Sequence, residues 1–206
     1  MGVLTEGPAL SGEDKRILQQ AIEQVRRIEV ILKNFIKFAR PQEQQLTRVN
    51  VNDVLDAAIA LAKKHPLLLS RNSRSIEIVR NFDDRLPLTM ADPFQLQQAF
   101  LDLLLNAAEA MPEGGAITVR TSCSAKPPQL SITILDTGRG IGVNVIDKIF
   151  LPFFTTKPKG TGLGLAVAKR LVEQHGGGIH AENNAAGGAR FVVTLPLLKE
   201  DAGMGV

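Results

Sequence analysis

Between Leu18 and Ala39 the apolar residues Leu18, Ile22, Val25, Ile28, Leu32, Phe35 and Ala39 recur every three or four positions. That period lays one apolar stripe along a helix running from Asp14 to Ala39, roughly 39 Å long at 1.5 Å per residue. A single helix of this length cannot bury its own stripe, so the segment needs a partner, in the same chain or in a second copy. Arg40-Pro41 ends it, because proline lacks the amide the next turn needs and disfavours helix at the preceding residue. Residues 1–12 carry glycine and proline without a period and read as a connector.

The core must therefore be built from the rest of the chain. With 206 residues, 44% of them hydrophobic and 22% charged, the composition is that of a soluble globular protein. One domain of about 150 residues with a smaller appendage is the expected organisation. Such a core needs no covalent staple, and the single Cys123 forbids an intramolecular disulfide; no charged residue flanks it, so its thiol reads as inert. No apolar run reaches the roughly 18 residues of a membrane-spanning helix, and the N-terminus lacks a signal-peptide pattern. The expected setting is the reducing cytoplasm without membrane contact by this chain, whether its parent protein is soluble or membrane-anchored. The net charge of +3 is mild, and the seven basic and four acidic residues of 13–40 are interspersed along one helical pattern. That is a solvated helix face, and no nucleic-acid partner is expected.

Punctuation divides the chain into residues 1–41, a polar linker at 42–46, a domain at 47–198 and a tail at 199–206. Asp53 to Lys64 reads as a helix stopped by Pro66, and Ser75 to Val79 alternates like a strand. Asp92-Pro93 opens the best-defined helix, with Asp92 as N-cap, Pro93 in the first helical position and Gln95 where a capping box wants Glu or Gln. It runs to about Ala110. Strands follow at Ile117–Thr121 and Leu130–Leu135, joined by a Lys-Pro-Pro turn region. After a glycine-rich segment come an apolar helix from about Gly162 to His175 and two strands near Ile179–Glu182 and Arg190–Leu195. Helices and strands without regular βαβ alternation predict an α+β fold: one mixed sheet with helices on one face.

Three segments carry side chains suited to chemistry. In the helix from Asp92, the residues Leu96, Ala99, Phe100, Leu103, Ala107 and Ala110 form a core stripe, while Asp102, Asn106 and Glu109 share another face at i, i+4 and i+7. A carboxylate and an amide one turn apart suit a hard cation such as Mg2+, which takes few protein ligands plus phosphate oxygens; the polar side of an amphipathic helix looks the same. In Leu135-Asp136-Thr137-Gly138-Arg139-Gly140-Ile141-Gly142, a strand runs into a carboxylate and three alternating glycines. The carboxylate can accept from an exocyclic amine, and glycines let backbone approach a flat ligand; as an isolated string it reads first as a glycine-rich turn. It is not the dinucleotide fingerprint, because no helix starts at the third glycine. In Lys157-Pro158-Lys159-Gly160-Thr161-Gly162-Leu163-Gly164, free amides at a helix start beside lysines suit phosphate, although Walker spacing is absent. Jointly the three segments describe sites for the three parts of an ATP.

In order, Asp102-Leu-Leu-Leu-Asn106-Ala-Ala-Glu-Ala-Met, Asp136-Thr-Gly-Arg-Gly-Ile-Gly142, Phe150-Leu-Pro-Phe-Phe-Thr-Thr-Lys157 and Gly160-Thr-Gly-Leu-Gly-Leu165 resemble the N, first glycine, F and second glycine boxes of sensor histidine kinases. Gly187-Gly188-Ala-Arg-Phe191 with Leu195-Pro196 is similar to that family's terminal strand. The resemblance covers residues 47–197, and its short spacing between the last two boxes looks most like the nitrogen-regulation group. Asn34-Phe-Ile-Lys-Phe-Ala-Arg-Pro41 resembles the end of the second helix in the family's dimerisation and phosphotransfer hairpin.

The resemblance implies the Bergerat ATP-binding sandwich of mixed sheet and helices, preceded here by one long amphipathic helix. It implies that Asn106 ligates Mg2+ and that Asp136 bonds the adenine amine. Gly138, Gly140, Ile141 and Gly142 would line the adenine pocket. Thr156, Lys157, Gly160, Thr161, Gly162, Leu163 and Gly164 would meet the phosphates, and Phe150 to Lys159 would form the lid. It also implies a response regulator receiver domain as partner of the parent protein and a homodimer through residues 14–39, weakened where the hairpin is incomplete. Asp102 departs from the pattern, since the family has Asn, His or Glu there; a carboxylate at that place could orient a nucleophile or hold Mg2+ through water. The family's acceptor histidine has no counterpart here, for His65, His175 and His180 all stand at helix ends or in a strand. The expected role is the ATP-binding catalytic part of a histidine kinase that does not label itself. A stand-alone ATPase or a nucleotide-binding scaffold are the competing readings.

Overall fold

The computed structural model describes residues 11–39, 43–69, 75–157 and 160–197, apart from some side chains in the first helix. Arg40-Pro41, Pro158, Lys159, most of the N-terminal connector and the tail at 199–206 lie outside the described residues. The chain divides into two compact units, Met1–Pro41 and Gln42–Val206.

The first unit contains α1, Gly12–Ala39. It starts two residues earlier than its apolar period predicts, because Ser11 and Asp14 form a capping box. The Ser11 hydroxyl accepts from the Asp14 amide at 3.1 Å, and the Asp14 carboxylate accepts from the Ser11 hydroxyl at 2.7 Å and amide at 3.1 Å. These bonds hold the Asp14 carboxyl below its ordinary pKa, the hydroxyl contributing most. Within α1, Leu18, Ile22, Val25, Ile28 and Leu32 are all exposed, together with Ile17 and Ile36.

The second unit places β1 (Thr47–Val49), α2 (Val51–Lys63), β2 (Ile76–Asn81), β3 (Thr89–Ala91), α3 (Pro93–Glu109), β4 (Gly115–Ala125) and β5 (Pro128–Asp136) in chain order. A 3-10 turn at Val143–Lys148, α4 (Gly164–Gln174), β6 (Gly178–Asn183) and β7 (Ala189–Pro196) complete it. The main sheet runs β2-β4-β5-β7-β6, with β2 parallel to β4 and the other pairs antiparallel; β1 and β3 form a separate two-stranded ladder. It is the mixed sheet and helix layer that the α+β pattern predicts. Alternation sets the buried face: Ile117 and Val119 on β4, Leu130, Ile132 and Ile134 on β5, and Phe191, Val193 and Leu195 on β7 are buried. They pack beneath Leu96, Phe100, Leu103, Leu104 and Ala107 of α3, with Leu55 and Ile59 of α2 and Ala168 and Val172 of α4 closing the same core.

The start of α3 is tied down more heavily than its sequence suggests. Asp92 Oδ1 accepts from the amides of Phe94 (3.0 Å) and Gln95 (3.1 Å), and its Oδ2 accepts from the Gln45 amide at 3.0 Å. The expected reciprocal bond from Gln95 is not made. His175 takes its place: Nε2 accepts from the Asp92 amide at 3.0 Å while Nδ1 donates to the Leu171 carbonyl at 2.7 Å. The buried imidazole is thus a neutral tautomer joining the end of α4 to the start of α3. Gln95 Oε1 is left without a partner.

Candidate functional site

Helix α3 carries the site because three successive turns each receive a different segment. Against Asp102 lies the first residue of α4: a β-carbon on Gly164 would stand 4.0 Å from that of Asp102. One turn on, Asn106 Oδ1 accepts from Lys157 Nζ at 2.8 Å, and the same ammonium donates to Glu109 Oε2. One further turn on, the carbonyl of Ala110 lies against Gly138, where a β-carbon would approach to 2.7 Å. The three sequence segments singled out above therefore converge on one helix flank at i, i+4 and i+8.

Asp136 is the last residue of β5 and is 2% exposed. Its Oδ1 accepts from the amides of Gly138 (2.9 Å) and Ala189 (3.1 Å), which fixes the carboxylate across the ends of β5 and β7. Among the described residues Oδ2 has no protein donor, so this oxygen can take an exocyclic amine. Of the glycines that follow, only Gly140 uses positive φ (71°). Gly138 is required by its approach to Ala110. Gly142 has φ −59°, and a β-carbon there would make an ordinary contact with Val145 at 3.5 Å, so the protein itself does not demand a glycine at 142. Ile141, half-buried against the core, is held by Asn183 at the end of β6, whose Oδ1 accepts from its amide and whose Nδ2 donates to its carbonyl, both at 2.7 Å. Sequence reasoning missed Asn183, since its partner is distant in the chain.

The segment after Phe150 is pinned at both ends. Phe150 meets Phe191 edge-on with ring centroids 6.3 Å apart, and the Lys169 ammonium lies over the Phe150 ring, 5.8 Å from its centroid. Leu163 is 1% exposed. Between them the Lys157 amide donates to Thr155 Oγ1 at 3.0 Å and the Gly160 amide donates to the Lys157 carbonyl at 3.1 Å. Gly162 (φ 68°) lies so close to the Phe153 backbone that a side chain would collide with it. Helix α4 begins at Gly164, two residues after the expected start, with no side-chain cap on its first amides. Thr156 is exposed and Thr161 half-buried. Asp102 Oδ1 accepts from Gln98 Nε2 at 2.8 Å, a bond that orients the carboxylate along α3. Among the three histidines, His65 Nδ1 accepts from the Leu67 amide at 3.3 Å and His180 is exposed on β6, while His175 is committed to the helix junction.

A layer of helices over a mixed sheet, with a buried carboxylate, glycines and an oxygen-lined helix flank, defines a nucleotide-binding domain. The model of the family described as histidine kinase-, DNA gyrase B-, and HSP90-like ATPase matches residues 91–199, more than half of the chain, and the chain belongs to that family. Sensor histidine kinase ZraS of Escherichia coli K12 is 35% identical over 90% of this chain and 38% of its own length. The sensory histidine kinase/phosphatase NtrB of Rhodobacter capsulatus is 33% identical over 93% of this chain and 55% of its own. Full-length ShkA in complex with AMPPNP superposes with a TM-score of 0.72 at 25% identity, covering 92% of this chain and 40% of ShkA. The catalytic domain of histidine kinase ThkA gives 0.62 at 28% identity, covering 74% of this chain and 95% of that domain. The chain corresponds to the ATP-binding catalytic part of a sensor histidine kinase and spans 38% of the length of ZraS, 55% of NtrB and 40% of ShkA. No helix among the described residues is long and apolar enough to cross a membrane.

Proposed function

We propose that this chain binds ATP with Mg2+ along α3 and presents the γ-phosphate to a histidine on another segment of its parent protein, which passes it to a response regulator receiver domain. The observation that carries the reading is the convergence of Gly164, Lys157 and Gly138 on Asp102, Asn106 and Ala110. Asp136 Oδ2 would accept from the adenine amine, and Gly138 to Gly142 would lie against the base. Lys157, Thr156, Thr161 and the segment Gly160 to Gly164, with Gly162 and Leu163 between them, would meet the phosphates, where the uncapped amides at the positive end of α4 favour anions.

Asn106 fits the metal: its side-chain oxygen already holds a cation, the Lys157 ammonium, which stands in for a metal ion. Bound there, Mg2+ would offset the charge of the triphosphate. The protein would contribute position and electrostatics to an in-line transfer, with no covalent step of its own. Asp102, fixed by Gln98, would orient the incoming nucleophile or a metal-bound water. His65 and His175 are held in hydrogen bonds at helix ends and His180 stands on a strand, so the chain alone would not label itself. The exposed stripe of α1 would pair with a second copy of the parent protein.

Calorimetric titration with AMPPNP, with and without Mg2+, tests the reading. One saturable site, strengthened by Mg2+ and lost in Asp136→Ala, is the expected result. A folded chain that binds no nucleotide would refute it, as would radiolabel from the γ-phosphate on this chain alone.

A further inference from the structure

Glu109 is the last residue of α3, where the negative end of the helix makes a carboxylate unfavourable, and the last turn of α3 contains no basic residue. The compensating charge comes from another segment: Lys157, reaching across from beyond Phe154, donates to both Glu109 Oε2 and Asn106 Oδ1. Its side chain is 25% exposed, so this ammonium sits substantially inside the site. The loop is shaped to deliver it, since the Lys157 amide is held by Thr155 and its carbonyl by Gly160.

Two facts about this arrangement conflict with a simple sum of ligands. With the ammonium at 2.8 Å from Asn106 Oδ1 and a metal ion at the roughly 2.1 Å that Mg2+ demands, two cations would crowd one oxygen and repel each other. Two of the three N–H groups of Lys157 are committed to Glu109 and Asn106, so a phosphate that draws the ammonium toward itself weakens both bonds. A carboxylate resembles a phosphate in charge and acceptor geometry, and an ammonium resembles a metal in charge. The group Glu109–Lys157–Asn106 thus reproduces, within the protein, the order phosphate–cation–amide.

Resting on the ATP reading above, we propose that Glu109 is a positioning residue that parks Lys157 on the metal-binding oxygen, so that metal and nucleotide bind by exchange of partners. The metal takes Asn106 Oδ1 from Lys157, and a phosphate oxygen takes Lys157 from Glu109. Glu109 therefore sets a threshold for loading the site.

The test is calorimetry with Mg2+ and AMPPNP, and with adenosine alone, on the full chain and on Glu109→Gln, Lys157→Met and the double variant. Glu109→Gln is expected to tighten Mg2+–AMPPNP binding by about two- to five-fold, the scale of a part-exposed ion pair. Adenosine binding stays unchanged, and the gain vanishes in the Lys157→Met background. A gain of equal size in that background would mean simple charge repulsion from the triphosphate and would overturn the proposal, as would no gain. Failure of wild type to bind either ligand would instead sink the ATP reading. Even then, amine acylation read by mass spectrometry decides the positioning role: Lys157 should react faster in Glu109→Gln than in wild type, and equal rates would refute it.

Discussion

Asn183 engages both backbone groups of Ile141, accepting from its amide and donating to its carbonyl at 2.7 Å each. A side chain here acts as one more rung of a ladder, attaching the glycine segment to the end of β6. Gly140 makes room for it, since a β-carbon there would come to 2.9 Å from Asn183 Oδ1. Asn183→Ala removes two hydrogen bonds worth about 1 kcal/mol each, so affinity for adenosine and for ADP should fall together, by up to about thirty-fold. Calorimetry with the two ligands checks this, and a loss confined to ADP would locate the effect at the phosphates instead.

Asp136 gives one oxygen to two backbone amides, and the other has no protein donor among the described residues. In Asp136→Asn the amide oxygen can still serve Gly138 and Ala189, while the ligand-facing atom becomes a donor. Adenosine binding is expected to weaken by about 100-fold with little change in the unfolding midpoint. Equal loss of stability and binding would show that the carboxylate acts on the fold alone.

The glycines of the same loop should behave differently. Gly138→Ala forces a β-carbon to 2.7 Å from the Ala110 carbonyl, against backbone that cannot yield, and should cost about 1–3 kcal/mol in urea unfolding. Gly142→Ala meets only Val145 at 3.5 Å and should leave stability within about 0.5 kcal/mol. Any nucleotide affinity that Gly142→Ala loses then reports the ligand rather than the fold.

His175→Ala leaves the Asp92 amide and the Leu171 carbonyl without partners at a buried junction. Each unsatisfied group costs about 1–3 kcal/mol, so thermal unfolding should begin markedly earlier. His175→Gln restores at most one of the two bonds and should fall between.

The stripe of α1 makes a separate prediction. Ile22→Glu places a charge within it and should shift any dimer toward monomer in sedimentation, with the unfolding of the 42–206 unit unchanged. A wild-type chain that stays monomeric at high concentration would contradict pairing through α1.

Local chemistry made much of this molecule readable in advance. Asp92-Pro93 marked the start of α3 because cap and proline act within one turn. The sheet strands were recognised by alternation but cut short: β4 extends to Ala125, since its polar outer residues leave no apolar signal while its backbone ladder continues. The three-residue strands β1 and β3 are too short to show a period. The parallel pairing of β2 with β4 has no local signature at all. The same distance effect governs the site. Asp102, Asn106 and Glu109 could be grouped on one helix face, but the ammonium that occupies that face comes from position 157. A carboxylate ending a helix with no basic residue in its last turn was the one available hint. The sequence places His175 at a helix end, but its second nitrogen serves another helix, a partnership that position alone does not reveal.

Phe150 is anchored in the sheet layer through Phe191, and Leu163 is buried beside the helix layer. Each is a fixed abutment set in place by its own contacts. Insertion or deletion within the span between them leaves both supports standing. The length and chemistry of that span can therefore vary without redesign of the core on which it rests.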